Sequence, residues 1–357
     1  MASRARAIAR RRYLVWRAAG IHRQRVAAIA LPKGPGLDEA TRAAALDFIG
    51  GLVPGYRDLR WHELYSRTTG QPSPFYLPED IFHALVLPAM NPPDRVQILR
   101  DKNQFDLVAG WPALPQTLGR VMNGQLLDAG YARTSAEEIQ DRARRLATVV
   151  VKPTRATGSG KNVHFVPPEL LPKALSGLND AIVQAPVRQH ADLARLNPSS
   201  VNTLRATTYR RLDGEIVFLS SAVRIGRAAS RVDNSYAGGL ICGVDASGAL
   251  APVAYENVTR RHERHPDSGL VFSGLRFPAL AAAREALLDA HARTPWIDFA
   301  TWDLSIDETG QPILIEVNVG TTLSGPQTTS GPVFGQVADD MRERIGTRRR
   351  SALLGFI

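Results

Sequence analysis

Apolar positions recur at clear strand and helix spacings after about residue 111, and far less regularly before it. Ser135-Ala-Glu-Glu138 reads as a capping box, in which a hydroxyl and a carboxylate three residues apart satisfy the amides of a first helical turn. The spacing that follows predicts a helix to about Leu146, then an apolar strand over Thr148–Val151 that delivers Lys152 to a loop at 153–162. A second helix is expected around 168–178 and another strand over Ala181–Ala185. Two strands, about 203–210 and 215–225, flank Asp213-Gly214, a dipeptide suited to a tight hairpin. A helix near 278–292 precedes a hairpin at 299–320, and a final helix is expected over 332–345. Helices alternating with largely antiparallel strands predict an α+β fold rather than a doubly wound sheet. Upstream, a basic helix over 1–30 leads through a Pro/Gly joint at 31–37 into an irregular N-terminal domain, 31–110, with proline-rich turns and no recognisable chemistry.

The hairpin is the strongest local signal. Its turn, Asp307-Glu-Thr-Gly310, places Asp303 near Glu316 across the ladder, and Glu316 and Asn318, two apart, share a face. Like charges opposed across strands are destabilising without compensation. Two carboxylates and an amide oxygen there suit a hard divalent cation such as magnesium, although the polar side of a solvated hairpin would read the same way. Lys152 is the second signal. Only five lysines accompany thirty-nine arginines, and two of them, Lys102 and Lys152, fall where a compact charge suits a phosphate oxygen. Thr157, Gly158, Ser159 and Gly160 then supply backbone that can close over phosphates. The loop has neither the Walker order nor the dinucleotide fingerprint, and an ordinary turn would also carry these residues.

Bulk composition narrows the classes. The 357 residues are 44% hydrophobic and 22% charged, as in an ordinary soluble protein, and are enough for two or three cores. No apolar run approaches membrane-spanning length, the N-terminus lacks the apolar core of a secretory signal, and one cysteine forbids an intrachain disulfide. A cytoplasmic protein is the expectation. The net charge of +10 is concentrated partly in residues 1–25, with eight arginines and no acid. Such an arm suits an anionic membrane surface, nucleic acid or simply solvent; without stacking aromatics or a recognition motif, nucleic acid is not expected. His262 and His265 near Glu263 lack a third patterned ligand for zinc. Cys242, Trp61, Trp111 and Trp296 read as core residues.

Taken in order, DK at 101–102, VKP with its glycine loop, a strand ending in Gln184 and a WD…E-x-N hairpin resemble the ATP-grasp superfamily. D-alanine–D-alanine ligase resembles the chain across Lys102, Lys152, Asp303, Glu316 and Asn318. The sugar-transfer-associated ATP-grasp family is closer still. Its style of motif appears in VQAPVRQH (183–190), NPSSVNTLRATTYR (197–210), AVRIGRAASRVDNSYAGGL (222–240), HPDSGLVFSGLRFP (265–278) and TWDLSIDETGQPILIEVN (301–318). The resemblance covers roughly residues 98–325.

It implies two α+β lobes gripping ATP: a central lobe at 111–186 and a C-terminal lobe at 187–357. Lys102 and Lys152 would hold the α- and β-phosphates beneath a lid at 157–162. Gln184, Ala185, Pro186 and Val187 would take adenine, with Gln189 and His190 nearby. Asp303, Glu316 and Asn318 would hold two magnesium ions. Arg224 would face the γ-phosphate and an acyl intermediate, and Arg205 would be a second anion clamp. Asp233 and Asn234 would stand at the edge of the site, and Arg227 could meet an acidic substrate. The implied reaction is ADP-forming ligation of a small-molecule carboxylate to an amine through an acyl phosphate, in polysaccharide or specialised-metabolite assembly. A small-molecule kinase on the same fold, or a nucleotide-regulated protein docking RNA or membrane through residues 1–25, are the rival readings; substrates and oligomeric state stay open.

Overall fold

Among the described residues, twelve strands, paired antiparallel throughout, form two sheets whose polar faces meet. The computed structural model describes residues 19–108, 111–155, 162–228, 230, 233 and 238–354, the side chains of 348–354 excepted. The strands are β1 (Thr117–Met122), β2 (Gln125–Leu127), β3 (Val149–Lys152), β4 (His164–Val166), β5 (Ala181–Gln184) and β6 (Thr203–Arg210). They continue with β7 (Ile216–Ile225), β8 (Leu240–Val244), β9 (Leu250–Glu256), β10 (Arg260–His262), β11 (Phe299–Ile306) and β12 (Pro312–Asn318).

The smaller sheet has the order β2-β1-β5-β3-β4. Its strands alternate, as a two-residue period requires. Val149 and Val151 of β3, with Ala181 and Val183 of β5, pack onto Ile139, Ala143, Leu171 and Leu175 of the helices Ala136–Ala143 and Leu171–Leu175. Val150, Lys152, Ile182 and Gln184 therefore point the other way. The capping box forms as its sequence dictates, with Ser135 Oγ accepting from the Glu138 amide at 3.1 Å. The helix expected over 168–178 is a 3-10 turn, Pro168–Leu170, followed by one short α-helix, and it stops before Gly177 at φ +75°.

The larger sheet has the order β10-β9-β8-β7-β6-β11-β12. Leu204 and Ala206 of β6, Val223 and Ile225 of β7, and Ala300, Trp302, Leu304 and Ile306 of β11 face the helix Pro278–Ala292. Every residue of β11 is buried, yet its alternate positions, Thr301, Asp303 and Ser305, are polar. That polar row is the side opposite the helix. At the far end of the same strands, Tyr209, Leu219 and Phe299 share a second core with Phe48, Ile49, Phe82, Val86, Phe334 and Met341. The helices near the N-terminus thus bury their apolar faces against the large sheet. Asn91 ties the two together with four hydrogen bonds: its amide nitrogen donates to the carbonyls of Phe299 (2.6 Å) and Val319 (3.1 Å), and its oxygen accepts from the amides of Asp298 (3.2 Å) and Phe299 (3.1 Å).

The final helix begins at Ala338, not at 332, because Gly331 at φ +75° and Pro332 interrupt the chain after a separate helix, Ser324–Ser330. Among the described residues no helix is long and apolar enough to cross a membrane. Residues 1–18 of the basic arm lie outside the described residues.

Candidate active site

The polar faces of the two sheets enclose a cleft of about 960 Å³. Strand register explains its contents. Asp303 is paired with Arg205 on β6 and with Glu316 on β12, and Thr203 is paired with Arg224 on β7. Alternation then turns Arg205, Arg224, Asp303, Glu316 and Asn318 into the cleft from one sheet, while Lys152 and Gln184 enter from the other. Lys102 comes from neither sheet. It starts the 3-10 helix Lys102–Leu107, whose N-terminus is capped by Asp101 accepting from the Asn103 amide at 3.0 Å.

The large-sheet side is a charge network. Arg205 grips Asp303 with two parallel bonds of 2.8 Å, and the Asn318 amide donates to the same carboxylate at 3.1 Å. Arg224 stands between Asp303 at 3.7 Å and Asp233 at 3.3 Å. Burial opposes the charge of Arg205, but the Asp303 carboxylate outweighs it and raises the guanidinium pKa above its ordinary value. Burial pushes Asp233 upward, against the stabilising pull of Arg224 and of the hydrogen bond from Thr203. Lys102 meets Glu316 at 2.7 Å, so the expected repulsion between Asp303 and Glu316 is compensated from opposite sides by different cations.

Lys152 is held differently. It is 8% exposed, and burial, reinforced by the positive charge of Lys102 and only partly offset by Glu316, lowers its pKa to about 8. Val150 and Phe165, paired across β3 and β4, line the cleft beside it and supply an apolar wall. An ammonium pressed into that wall is poised to gain from an arriving anion.

Ala185, Pro186, Val187 and Gln189 also line the cleft, as does Asp233. The Gln189 side chain is committed to its own loop, donating to the Asn197 and Ser200 carbonyls and accepting from Asn202. His190 and Arg227 are not brought to the cleft wall. His190 caps the short helix Ala191–Ala194, its Nδ1 accepting from the Asp192 amide at 3.2 Å, and Arg227 is spent on Asp267 at 3.1 Å and Glu256 at 3.5 Å. Thr157, Gly158, Ser159, Gly160 and Asn234 lie outside the described residues.

Several lining residues carried no sequence signal. Arg25, Ala28 and Ile29 reach the cleft from the segment after residue 18, and Asn257 and Val258 reach it from the β9–β10 turn. Both turn residues have positive φ, +49° and +74°, which is strained for a β-branched valine. Ser324, Gly325 and Thr328 present the helix after the hairpin. The two histidines of RRHERHP diverge: His262 meets Glu256 at 3.0 Å, and His265 meets the Gly226 carbonyl at 2.9 Å. Cys242 is fully buried, its thiol pushed up to about 12 by burial, and Trp61 is core.

Residues 171–342 match the family model described as sugar-transfer associated ATP-grasp. The match covers a little under half of the chain. The fold is the α+β ATP-grasp fold, and within it β6, β7, β11 and β12 provide Arg205, Arg224, Asp303 and Glu316 of the cleft. A search of the curated proteins found no match. Similar solved structures include biotin carboxylase from Campylobacter jejuni, at 13% identity over 70% of this chain and 46% of that one, with a TM-score of 0.43. The D-cycloserine synthetase DcsG is 18% identical over 72% of this chain and 73% of its own, with a TM-score of 0.43. An L-amino acid ligase from Bacillus licheniformis is 13% identical over 69% and 48%, with a TM-score of 0.40. The chain spans less than half the length of the biotin carboxylase and of the L-amino acid ligase.

Proposed function

We propose that this ATP-grasp protein is an ADP-forming ligase that joins a small-molecule carboxylate to an amine. The observation that carries the reading is the convergence of Lys102, Lys152, Arg205, Arg224, Asp303, Glu316 and Asn318 on one cleft, with Lys102 and Glu316 214 residues apart. Lys102 and Lys152 bind the phosphates as point charges, and the segment Gln184–Val187, at the end of β5, takes the adenine.

The donors fit magnesium by type. Asp303, Glu316 and Asn318 all offer oxygen, the atom this hard ion takes. Glu316, with its side chain 29% exposed, is the accessible member, whereas Asp303, 4% exposed, already gives both oxygens to Arg205 and must exchange one bond to take part. When bound, magnesium would neutralise charge on the β- and γ-phosphate oxygens.

The remaining roles belong to the protein. Arg224 and Arg205 are fixed in place by Asp233 and Asp303, so they meet developing negative charge with little reorganisation. A carboxylate is a poor electrophile. Its oxygen attacks the γ-phosphorus, ADP leaves, and an acyl phosphate forms. The amine then attacks the acyl carbon, inorganic phosphate leaves, and the nitrogen gives its proton to solvent or phosphate. This sequence needs water exclusion more than an acid–base triad, in keeping with the deep enclosure of Lys152 and Asp303. The absence of any possible intrachain disulfide accords with a cytoplasmic site of action.

Glu316→Ala tests the reading. Magnesium-dependent ADP release, assayed over a panel of carboxylates and amines, should fall at least ~100-fold while circular dichroism is unchanged. Undiminished turnover, or a stable phosphoester in place of amide plus free phosphate, would overturn it.

A further inference from the structure

A second polar cluster lies behind the cleft wall and takes no part in the proposed chemistry. His22, Glu79 and His83 each present a donor atom, and these atoms all lie within 4.8 Å of one another. Glu79 is fully buried and His83 nearly so, at 16% exposure. Three buried atoms in this group, His22 Nδ1, Glu79 Oε2 and His83 Nε2, make no hydrogen bond. His83 Nε2 approaches Glu79 Oε2 at 3.3 Å without hydrogen-bonding geometry. His22 Nδ1 has no partner among the described residues and the Glu79–His83 ion pair lacks hydrogen-bond geometry, which is costly for buried groups, and a cation that all three could ligate would remove the cost.

The local backbone points the same way. His83 lies in a π-helical turn, Phe82–Val86, inserted between the α-helical segments Glu79–Ile81 and Leu87–Met90. Such turns widen a helix at the expense of its hydrogen-bond geometry and persist where a side chain must be aimed. Glu79 is itself oriented by Ser324 Oγ, which donates to its other oxygen at 2.8 Å, and Ser324 lines the cleft. His22 belongs to the same segment, 19–28, as Arg25 and Ala28 of the cleft wall.

We propose that His22, Glu79 and His83 form a transition-metal site of the zinc class that staples the segment carrying Arg25 to the helices behind the cleft. Two imidazoles and one carboxylate are a donor set that zinc accepts, with a fourth position left to water or a small ligand. The two rings are stacked, with centroids 4.3 Å apart and planes 9° from parallel. A tetrahedral ion at about 2.1 Å would draw its donors to about 3.4 Å from one another, so His22, the half-buried member, rotates to coordinate. The site is separate from the magnesium donors of the cleft in both position and ligand chemistry.

Zinc chloride alone, titrated into the chelator-treated full-length chain in excess magnesium, is the probe. Metal analysis after dialysis should find about one zinc per chain, and zinc should raise the melting temperature. His22→Ala, at a half-exposed position, should melt like the zinc-free wild type and bind zinc at least ~100-fold more weakly, with Glu79→Gln behaving similarly. Glu316→Ala should bind zinc as the wild type does. No saturable uptake, uptake unchanged in His22→Ala, or uptake lost in Glu316→Ala but kept in His22→Ala would each overturn the proposal. The readouts are metal content and melting temperature, so they are independent of whether the cleft ligates anything.

Discussion

The two sheets that face each other across the cleft handle charge in opposite ways. Among the described residues, the five-stranded sheet contributes a single ammonium, Lys152, set among Val150 and Phe165 and depressed to about pKa 8 by burial. The seven-stranded sheet contributes Arg205, Arg224, Asp303 and Asn318, joined by Asp233 from the segment after β7, each bonded to another member of the group. A solitary buried charge is unstable without an anion and can therefore sense one. A paired network is rigid, and removing one member strands its neighbours. The small sheet is thus the responsive side of the cleft and the large sheet its fixed frame.

Single substitutions should expose this difference. Arg205→Ala should cost about 3–5 kcal/mol in urea unfolding, because the Asp303 carboxylate stays buried after losing both 2.8 Å bonds. Lys152→Met should do the reverse. It should raise stability at pH 7 by removing a buried charge, while calorimetry shows ATP affinity falling by about 1.5–3 kcal/mol. The pH dependence has a definite sign. The unfolded chain keeps this proton up to about 10.5 and the folded chain only to about 8, so wild-type stability should rise between those values as the penalty is relieved. ATP affinity should fall over the same rise in pH, and Lys152→Arg should flatten both curves. If Lys152→Met is instead strongly destabilised, the contrast between the sheets fails.

Smaller effects test the apolar side of the small sheet. A Cβ at Gly119 would lie 2.5 Å from Ile139 Cδ1, so Gly119→Ala should overpack this core by about 1–3 kcal/mol and leave the large-sheet network intact. Ser135→Ala removes one half of the capping box and should cost about 1 kcal/mol, read from the melting temperature.

Short-range patterns made part of this legible beforehand. Counting outward from the Asp307–Gly310 turn brings Asp303 to within one residue of Glu316, and a bulge beside Asp303 completes the pairing; the Ser135 helix start follows from a four-residue motif. The alternation that buries Trp302 and Leu304 while turning Asp303 away was equally readable. Contacts that depend on long-range register were not. Nothing in VNTLR or TWDLS marks Arg205 and Asp303 as partners ninety-eight residues apart, and each alone resembles a solvated charge. Arg25 was hidden within a run of arginines, where composition masked a specific placement. The strand at 240–244 is not legible as a strand because its apolar residues give a continuous run in LICGV rather than an alternation. The last helix starts later than the sequence spacing suggests because Gly331-Pro332 breaks the chain.

Asn91 carries a consequence for anyone cutting the chain. Its four bonds hold the start of β11 and the end of the hairpin from a position eighty residues upstream of the family-matched segment. Excising 171–342 would take the Asn91 partner from those carbonyls and amides and expose the faces of Tyr209, Leu219 and Phe299. A truncated fragment of that span should aggregate, and the boundary drawn by family likeness does not coincide with a unit able to fold by itself.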